Sequence, residues 1–135
     1  MGVQLTKEGF DLGIVTHNGD EMLAFYRDVL GFEFEATLNM EAVGIQAMHR
    51  VWADKSLLKL VVPVADTPAG EPGGIPKATG LRYFTISVSN LDEVLADCEA
   101  AGANVVWTAR EIRPGVRVGM VEDPDGNWVE FISAS

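Results

Sequence analysis

Cysteine occurs once in the 135 residues, as Cys98. A lone thiol excludes an internal disulfide and a thiolate zinc site. Basic residues are also scarce: ten Lys and Arg stand against twenty Asp and Glu, a formal charge of −10. No Lys/Arg cluster interrupts that balance. Such a field repels nucleic acid and anionic lipid, so neither is expected as a partner. It does not oppose a small ligand in a shielded cavity. Long apolar runs are missing as well. None approaches the ~20 residues of a membrane span, and the opening MGVQLTKEGF has no apolar core of the signal type. A cytoplasmic protein is the expectation.

Hydrophobic residues make up 47% of the chain and charged ones 22%, which allows a full core and lacks the signature of disorder. The length suits one compact domain built of two halves. A module of ~60 residues buries only ~60% of its unfolded surface and is marginal alone.

The chain repeats itself. At an offset of 72, Ile14 meets Ile86, Asn18 meets Asn90, Asp20 meets Asp92, Glu21 meets Glu93, Leu23 meets Leu95 and Ala24 meets Ala96. At 71, Gly31 meets Gly102, Asp54 meets Asp125 and Lys59 meets Glu130. An ordered series of this kind signals an internal repeat. Each copy reads strand, cap, helix. Phe84, Ile86 and Val88 alternate with Tyr83, Thr85 and Ser87, and Leu12 and Ile14 with Asp11 and Gly13. Asn18 with Glu21, and Asn90 with Glu93, resemble capping boxes. The stripes Met22, Leu23, Tyr26, Val29, Leu30 and Leu91, Val94, Leu95, Cys98, Ala101 have helical spacing, and each stops at a glycine. Cys98 therefore belongs to the core rather than to a nucleophile, and His17 to a solvated turn.

Three strands follow each glycine: 32–38, 44–52 and 57–62, then 103–108, 116–121 and 128–132. Residues 53–56 and 123–127 are turns. The Pro- and Gly-rich stretch 63–80 is a linker or flap. The fold expected is α+β: two βαβββ modules, about 9–62 and 81–133, in one domain over 1–135, related by pseudo-twofold symmetry and forming a curved sheet around a cavity.

The helix-packing face of each sheet must be apolar. Leu58, Leu60 and Val62 supply it on the fourth strand, so Lys59 points away. Val129 and Phe131 supply it on the eighth, so Glu130 points away beside Trp128 and Ile132. Asp11 and Tyr83 face the same side, Tyr83 together with Thr85 and Ser87. Four polar groups thus take repeat-related places: Asp11 with Tyr83, and Lys59 with Glu130. Either Lys59 and Glu130 form an internal ion pair, or the group faces a ligand. One of the neighbours His49 and Arg50 faces the same side, because strand residues alternate. Trp52, Trp107 and Trp128 are stacking surfaces or packing residues, Trp128 being nearest to Glu130.

AFYRDVLGFEFEA (24–36) and EDPDGNWVEF (122–131) resemble the first helix with its following strand, and the closing hairpin, of the vicinal oxygen chelate superfamily. That superfamily contains glyoxalases, bleomycin-resistance proteins and extradiol dioxygenases. The resemblance implies a metal site with one ligand from each of the first, fourth, fifth and eighth strands, usually His or Glu. Those places hold Asp11, Lys59, Tyr83 and Glu130, of which only Glu130 matches. An ammonium competes with a metal for carboxylates, and ligands must be deprotonated to bind. No metal and no cofactor are therefore expected, and a metal-dependent lactoylglutathione lyase or extradiol dioxygenase is disfavoured. Two readings stay open. One is a protein that binds a small aromatic or amphipathic molecule, with Trp128, Thr85, Ser87, His49 and Arg50 as ligand contacts. The other is a metal-independent lyase or isomerase, with Glu130 or Asp11 as base, Tyr83 as acid and Lys59 holding an oxyanion. The resemblance also implies a homodimer.

Overall fold

The computed structural model describes residues 2–134. They form two βαβββ modules, and the boundary between compact units falls between Pro68 and Ala69. The first module holds β1 (Asp11–Val15), α1 (Gly19–Leu23, continued by a π-helical turn over Ala24–Val29), β2 (Glu33–Met40), β3 (Ile45–Ala53) and β4 (Ser56–Pro63). The second holds β5 (Tyr83–Ser87), α2 (Leu91–Ala100), β6 (Val105–Arg113), β7 (Val116–Glu122) and β8 (Trp128–Ala134). The sheet orders are β1-β4-β3-β2 and β5-β8-β7-β6. In each sheet the first and last strands pair in parallel and the others antiparallel. The two halves are therefore copies in topology, as the sequence repeat requires.

The cores lie between helix and sheet. In the first module Met22, Tyr26, Val51, Leu58 and Leu60 are buried; in the second Leu91, Leu95, Cys98, Val121, Val129 and Phe131. Gly119 lets α2 come close to β7: a Cβ there would lie 2.6 Å from Leu95 Cδ1. The helices differ from one another. Leu30 N–H donates to Phe25 O at 3.0 Å, the wider π spacing, and Phe32 N–H donates to Tyr26 O at 2.9 Å, closing the helix end around Gly31. The wider turn allows the consecutive residues Phe25 and Tyr26 both to be buried, their rings edge to face at 5.0 Å.

The helix starts depart from the capping box. The Asn18 side chain does not cap a backbone N–H; its Nδ2 donates to Glu21 Oε2 at 3.1 Å. Asn90 and Glu93 repeat this at 3.3 Å. The carboxylate that would reach back to the cap N–H is held by the amide, and Thr16 Oγ1 accepts the Asn18 N–H instead. At the closing hairpin, Asp123 Oδ1 accepts both the Asp125 and Asn127 backbone N–H groups at 2.9 Å. That fixes the start of β8, and with it the register of Trp128 and Glu130.

Candidate functional site on the open faces of the sheets

Each sheet packs its helix on one face; the other face sets polar side chains among buried ones, Met48 and Leu57 in the first module and Val118, Met120 and Trp128 in the second. In the first module Leu12 and Ile14 pair with Leu58 and Leu60, and Gly13 pairs with Lys59. Lys59 therefore lies on the face away from α1, and Arg50 is directly opposite it on β3. Two cations side by side across a ladder repel each other. Each takes its own carboxylate. Lys59 Nζ lies 3.5 Å from Asp11 Oδ2, and Arg50 Nε donates to Glu35 Oε2 at 2.9 Å. Trp52 Nε1 donates to the other Glu35 oxygen at 2.8 Å. Those two bonds, the Trp52 one first, hold the Glu35 carboxyl below its ordinary range.

Asp11 is engaged at both oxygens. Lys7 Nζ donates to Oδ1, and Lys59 faces Oδ2. The Lys7 hydrogen bond above all, and then the two ammonium charges, hold the Asp11 carboxyl below its ordinary range against partial desolvation. Lys59 thus pairs with Asp11, while Glu130 has a different neighbour. Lys7 Nζ also sits 4.7 Å above the Trp52 ring.

His49 is on the other face. It pairs with Leu60, is 9% exposed, shares a 2.7 Å hydrogen bond through Nδ1 with Thr37 Oγ1, and packs against Gly19. Of the neighbours His49 and Arg50, Arg50 accompanies Lys59, and His49 belongs to the helix-packing layer. Alternation alone could not choose between them, since the register of β3 depends on a bulge between Ile45 and Ala47.

In the second module Tyr83 pairs with Trp128, Thr85 with Glu130 and Ser87 with Ile132. Thr85 Oγ1 donates to Glu130 Oε1 at 2.7 Å. Tyr83, Thr85 and Ser87 are exposed, and Glu130 is half-buried. Across the ladder Met120 faces Glu130, and Glu122 faces Trp128. Trp128 is nearly buried. Its ring meets Trp107 edge to face at 5.9 Å, and its Nε1 donates to Glu122 Oε2 at 3.3 Å. Arg110 lies 4.4 Å above the Trp107 ring. The stretch 71–82, which begins in the expected linker and runs two residues past it, packs on this module: Arg82 donates from Nε to Gly74 O at 2.9 Å and from Nη2 to Glu71 O at 2.6 Å. Beside it opens a cleft of about 560 Å³ lined by residues 75–83, including Ile75, Lys77, Leu81 and Tyr83.

Lys7, Glu35, Glu122 and Arg82 complete these faces and were not among the residues that sequence reasoning chose. Lys7 precedes the first strand, although its place four residues before Asp11 was a usable sign. Glu35 reaches the face through a bulge between Phe34 and Ala36, which no periodicity reveals.

Residues 11–131 match the Glyoxalase/Bleomycin resistance protein/Dioxygenase superfamily. The match spans most of the chain, and the protein belongs to that family. No curated protein matches it. Among solved structures it is similar to a glyoxalase family protein from Bacillus cereus (TM-score 0.82, 16% identity, 98% of this chain and 96% of that one covered). It is also similar to an antibiotic-binding protein from a Streptomyces species (TM-score 0.71, 18% identity, 100% and 99% covered). A third is a lactoylglutathione lyase from Agrobacterium tumefaciens (TM-score 0.66, 24% identity, 92% and 91% covered). At these identities the likeness is one of fold.

The donor set does not fit the metal that many members of the family hold. At the strand places carried over from the resemblance, β1 offers Asp11 with both oxygens on ammonium groups, and β4 offers one of those ammonium groups. A cation arriving there would have to displace Lys7 and Lys59 from Asp11 and would meet their charge.

Proposed function

We propose that this protein binds a small aromatic or amphipathic molecule beside the polar groups on the sheet faces away from the helices and does so without a metal ion. The observation that carries this reading is the pairing of Asp11 with Lys7 and Lys59, which commits a metal-ligand place to an ion-pair network. The aromatic and polar surface of the second module supports it: Tyr83, Thr85, Ser87 and Glu130 share a face with Trp128. The similar Streptomyces protein is described as antibiotic-binding, and a molecule of comparable character is the ligand class proposed. The test combines elemental analysis, after growth with added zinc, iron, nickel and manganese, with a calorimetric screen against aromatic compounds. The expected result is substoichiometric metal, and ligands whose affinity falls in Glu130→Gln and Tyr83→Phe. Stoichiometric metal that disappears in Glu130→Ala would overturn the metal-free reading.

A metal-independent lyase or isomerase is the second reading, favoured by one observation: Tyr83, Thr85 and Glu130 are brought together on adjacent strands. There Glu130 takes a proton and Tyr83 donates one. Turnover lost in Glu130→Gln with binding kept would choose this reading over sequestration.

The working form proposed is a cytoplasmic homodimer. No helix among the described residues is long and apolar enough to cross a membrane. The edge strand β2 exposes Phe34, Leu38 and Met40, the kind of apolar edge that proteins cover. Light scattering on a sizing column should give twice the chain mass at micromolar concentration, and a clean monomer would refute the dimer.

A further inference from the structure

Trp128 keeps only 8% of its surface exposed, and what lies on its ring is backbone. The Cβ position of Gly74 would fall 2.0 Å from Trp128 Cδ2, 2.1 Å from Cε2 and 2.5 Å from Cε3. The Gly74 main chain therefore rests on the indole, and any side chain there would penetrate it. A φ of +65° at Gly74 favours glycine for a second reason. The strap around Gly74 joins neither sheet. Arg82 ties it with two hydrogen bonds, both to neutral carbonyls, Pro72 packs beside Gly126, and a 3.3 Å bond from Lys77 N–H to Gly74 O closes a turn within the strap. A shallow cleft lined by residues 75–83 opens beside it.

We infer that the indole face of Trp128 beneath Gly74 is a ligand site closed by the strap in the free protein, and that a flat aromatic cation takes Gly74's place. The inference rests on reading the open face of the second module as a ligand surface. The slot is one backbone thick, which a planar ring fills by stacking and a bulky aliphatic group does not. Glu130 lies two residues along β8 on the same side, ~7 Å away at strand spacing. One of its oxygens accepts from Thr85, and among the described residues no ammonium or guanidinium pairs with it. A positive group on the ring would meet that carboxylate and the π-face of the indole. An anionic ring would meet Glu122 and Glu130. The chain's charge of −10 draws cations in the same sense. Because the strap must leave first, the apparent affinity is reduced by the fraction of molecules already open. Loosening the strap should therefore tighten binding, the reverse of what loss of a ligand contact does.

The experiment uses the whole chain with Trp52→Phe and Trp107→Phe, so that Trp128 alone fluoresces. Gly74→Ala, or independently Arg82→Gln, should raise acrylamide quenching of Trp128 at least threefold. Calorimetry with 9-aminoacridine should show binding at least fivefold tighter in either variant and at least tenfold weaker in Glu130→Gln. Acridine-9-carboxylate, flat but anionic, should bind at least tenfold more weakly than 9-aminoacridine. Unchanged quenching in both strap variants overturns the strap. Equal affinity for the two acridines overturns the cationic class. Binding of neither acridine, in the parent or the strap variants, overturns the site. The broader small-molecule reading fails separately, if no compound in the wider screen depends on Glu130 or Tyr83.

Discussion

Gly119→Ala should destabilise the second module, and by an amount that one neighbour decides. Gly119 lies on β7 opposite Phe131, under α2. An added methyl carbon would stand 2.6 Å from Leu95 Cδ1, 2.8 Å from Cδ2 and 3.2 Å from Cγ. Leu95 is itself 8% exposed and cannot swing into solvent without leaving the core. Overpacking of this kind costs ~1–3 kcal/mol. The backbone is no obstacle, since Gly119 is not among the glycines with positive φ. Leu95→Ala alone should cost ~2–5 kcal/mol by opening a cavity. In that background the new methyl has room. Gly119→Ala should then be neutral, or stabilising by up to ~1 kcal/mol through the unfolded chain. The two changes are thus coupled by at least ~1 kcal/mol, well above the error of additivity for independent sites. Urea denaturation followed by circular dichroism measures all four corners of the cycle. An equal cost of Gly119→Ala with and without Leu95 would mean that α2 does not rest on β7 at this point.

Two further outcomes follow from titrating groups. The Cys98 thiol is pushed up to about 11, by burial and then by the Asp97 charge, so an aromatic disulfide reagent at pH 8 should label native Cys98 at least ~100-fold more slowly than the urea-unfolded chain; equal rates would refute its burial. Its contribution to stability is complete below the unfolded value near 9 and is lost as pH rises through the folded one. Asp11 behaves oppositely: its folded value is depressed, so the stabilisation is present above 3.8 and lost as pH falls through the folded value. Carbon-detected NMR should show the Asp11 titration moving up towards 3.8 in Lys7→Met, and by less in Lys59→Met; no movement in Lys7→Met would remove Lys7 from the network.

Much of this fold is legible in the sequence because two periods and a repeat agree. Alternation over 83–87 and 128–132 and helical spacing over 91–101 each name an element, and the repeat transfers the reading to the less distinct first copy. Strand ends are missed where the pattern fades. β6 runs to Arg113, five residues past the expected end, because 109–113 hold three charged residues with Ala109 and Ile112 on a largely exposed ribbon. The π-helical turn leaves no periodic sign, since one extra residue looks like an imperfect stripe. The strap is equally silent. Pro72, Gly73 and Gly74 read as a linker, and nothing local says that Gly74 needs to be glycine because of an indole 54 positions later.

The face of Lys59 and Glu130 follows from alternation, but their partners do not. Equivalence in the repeat suggests that they answer each other as opposite charges, whereas in the structure Lys59 answers Asp11 and Glu130 accepts from Thr85. The reason is local. A parallel pairing sets each β4 or β8 side chain beside the strand that opens its own module, and the nearest polar group there takes the bond. The first strand can supply a second ligand to the last, or it can supply a counter-ion. With lysine at position 59, Asp11 serves as the counter-ion, and the carboxylate on β8 accepts from the Thr85 hydroxyl.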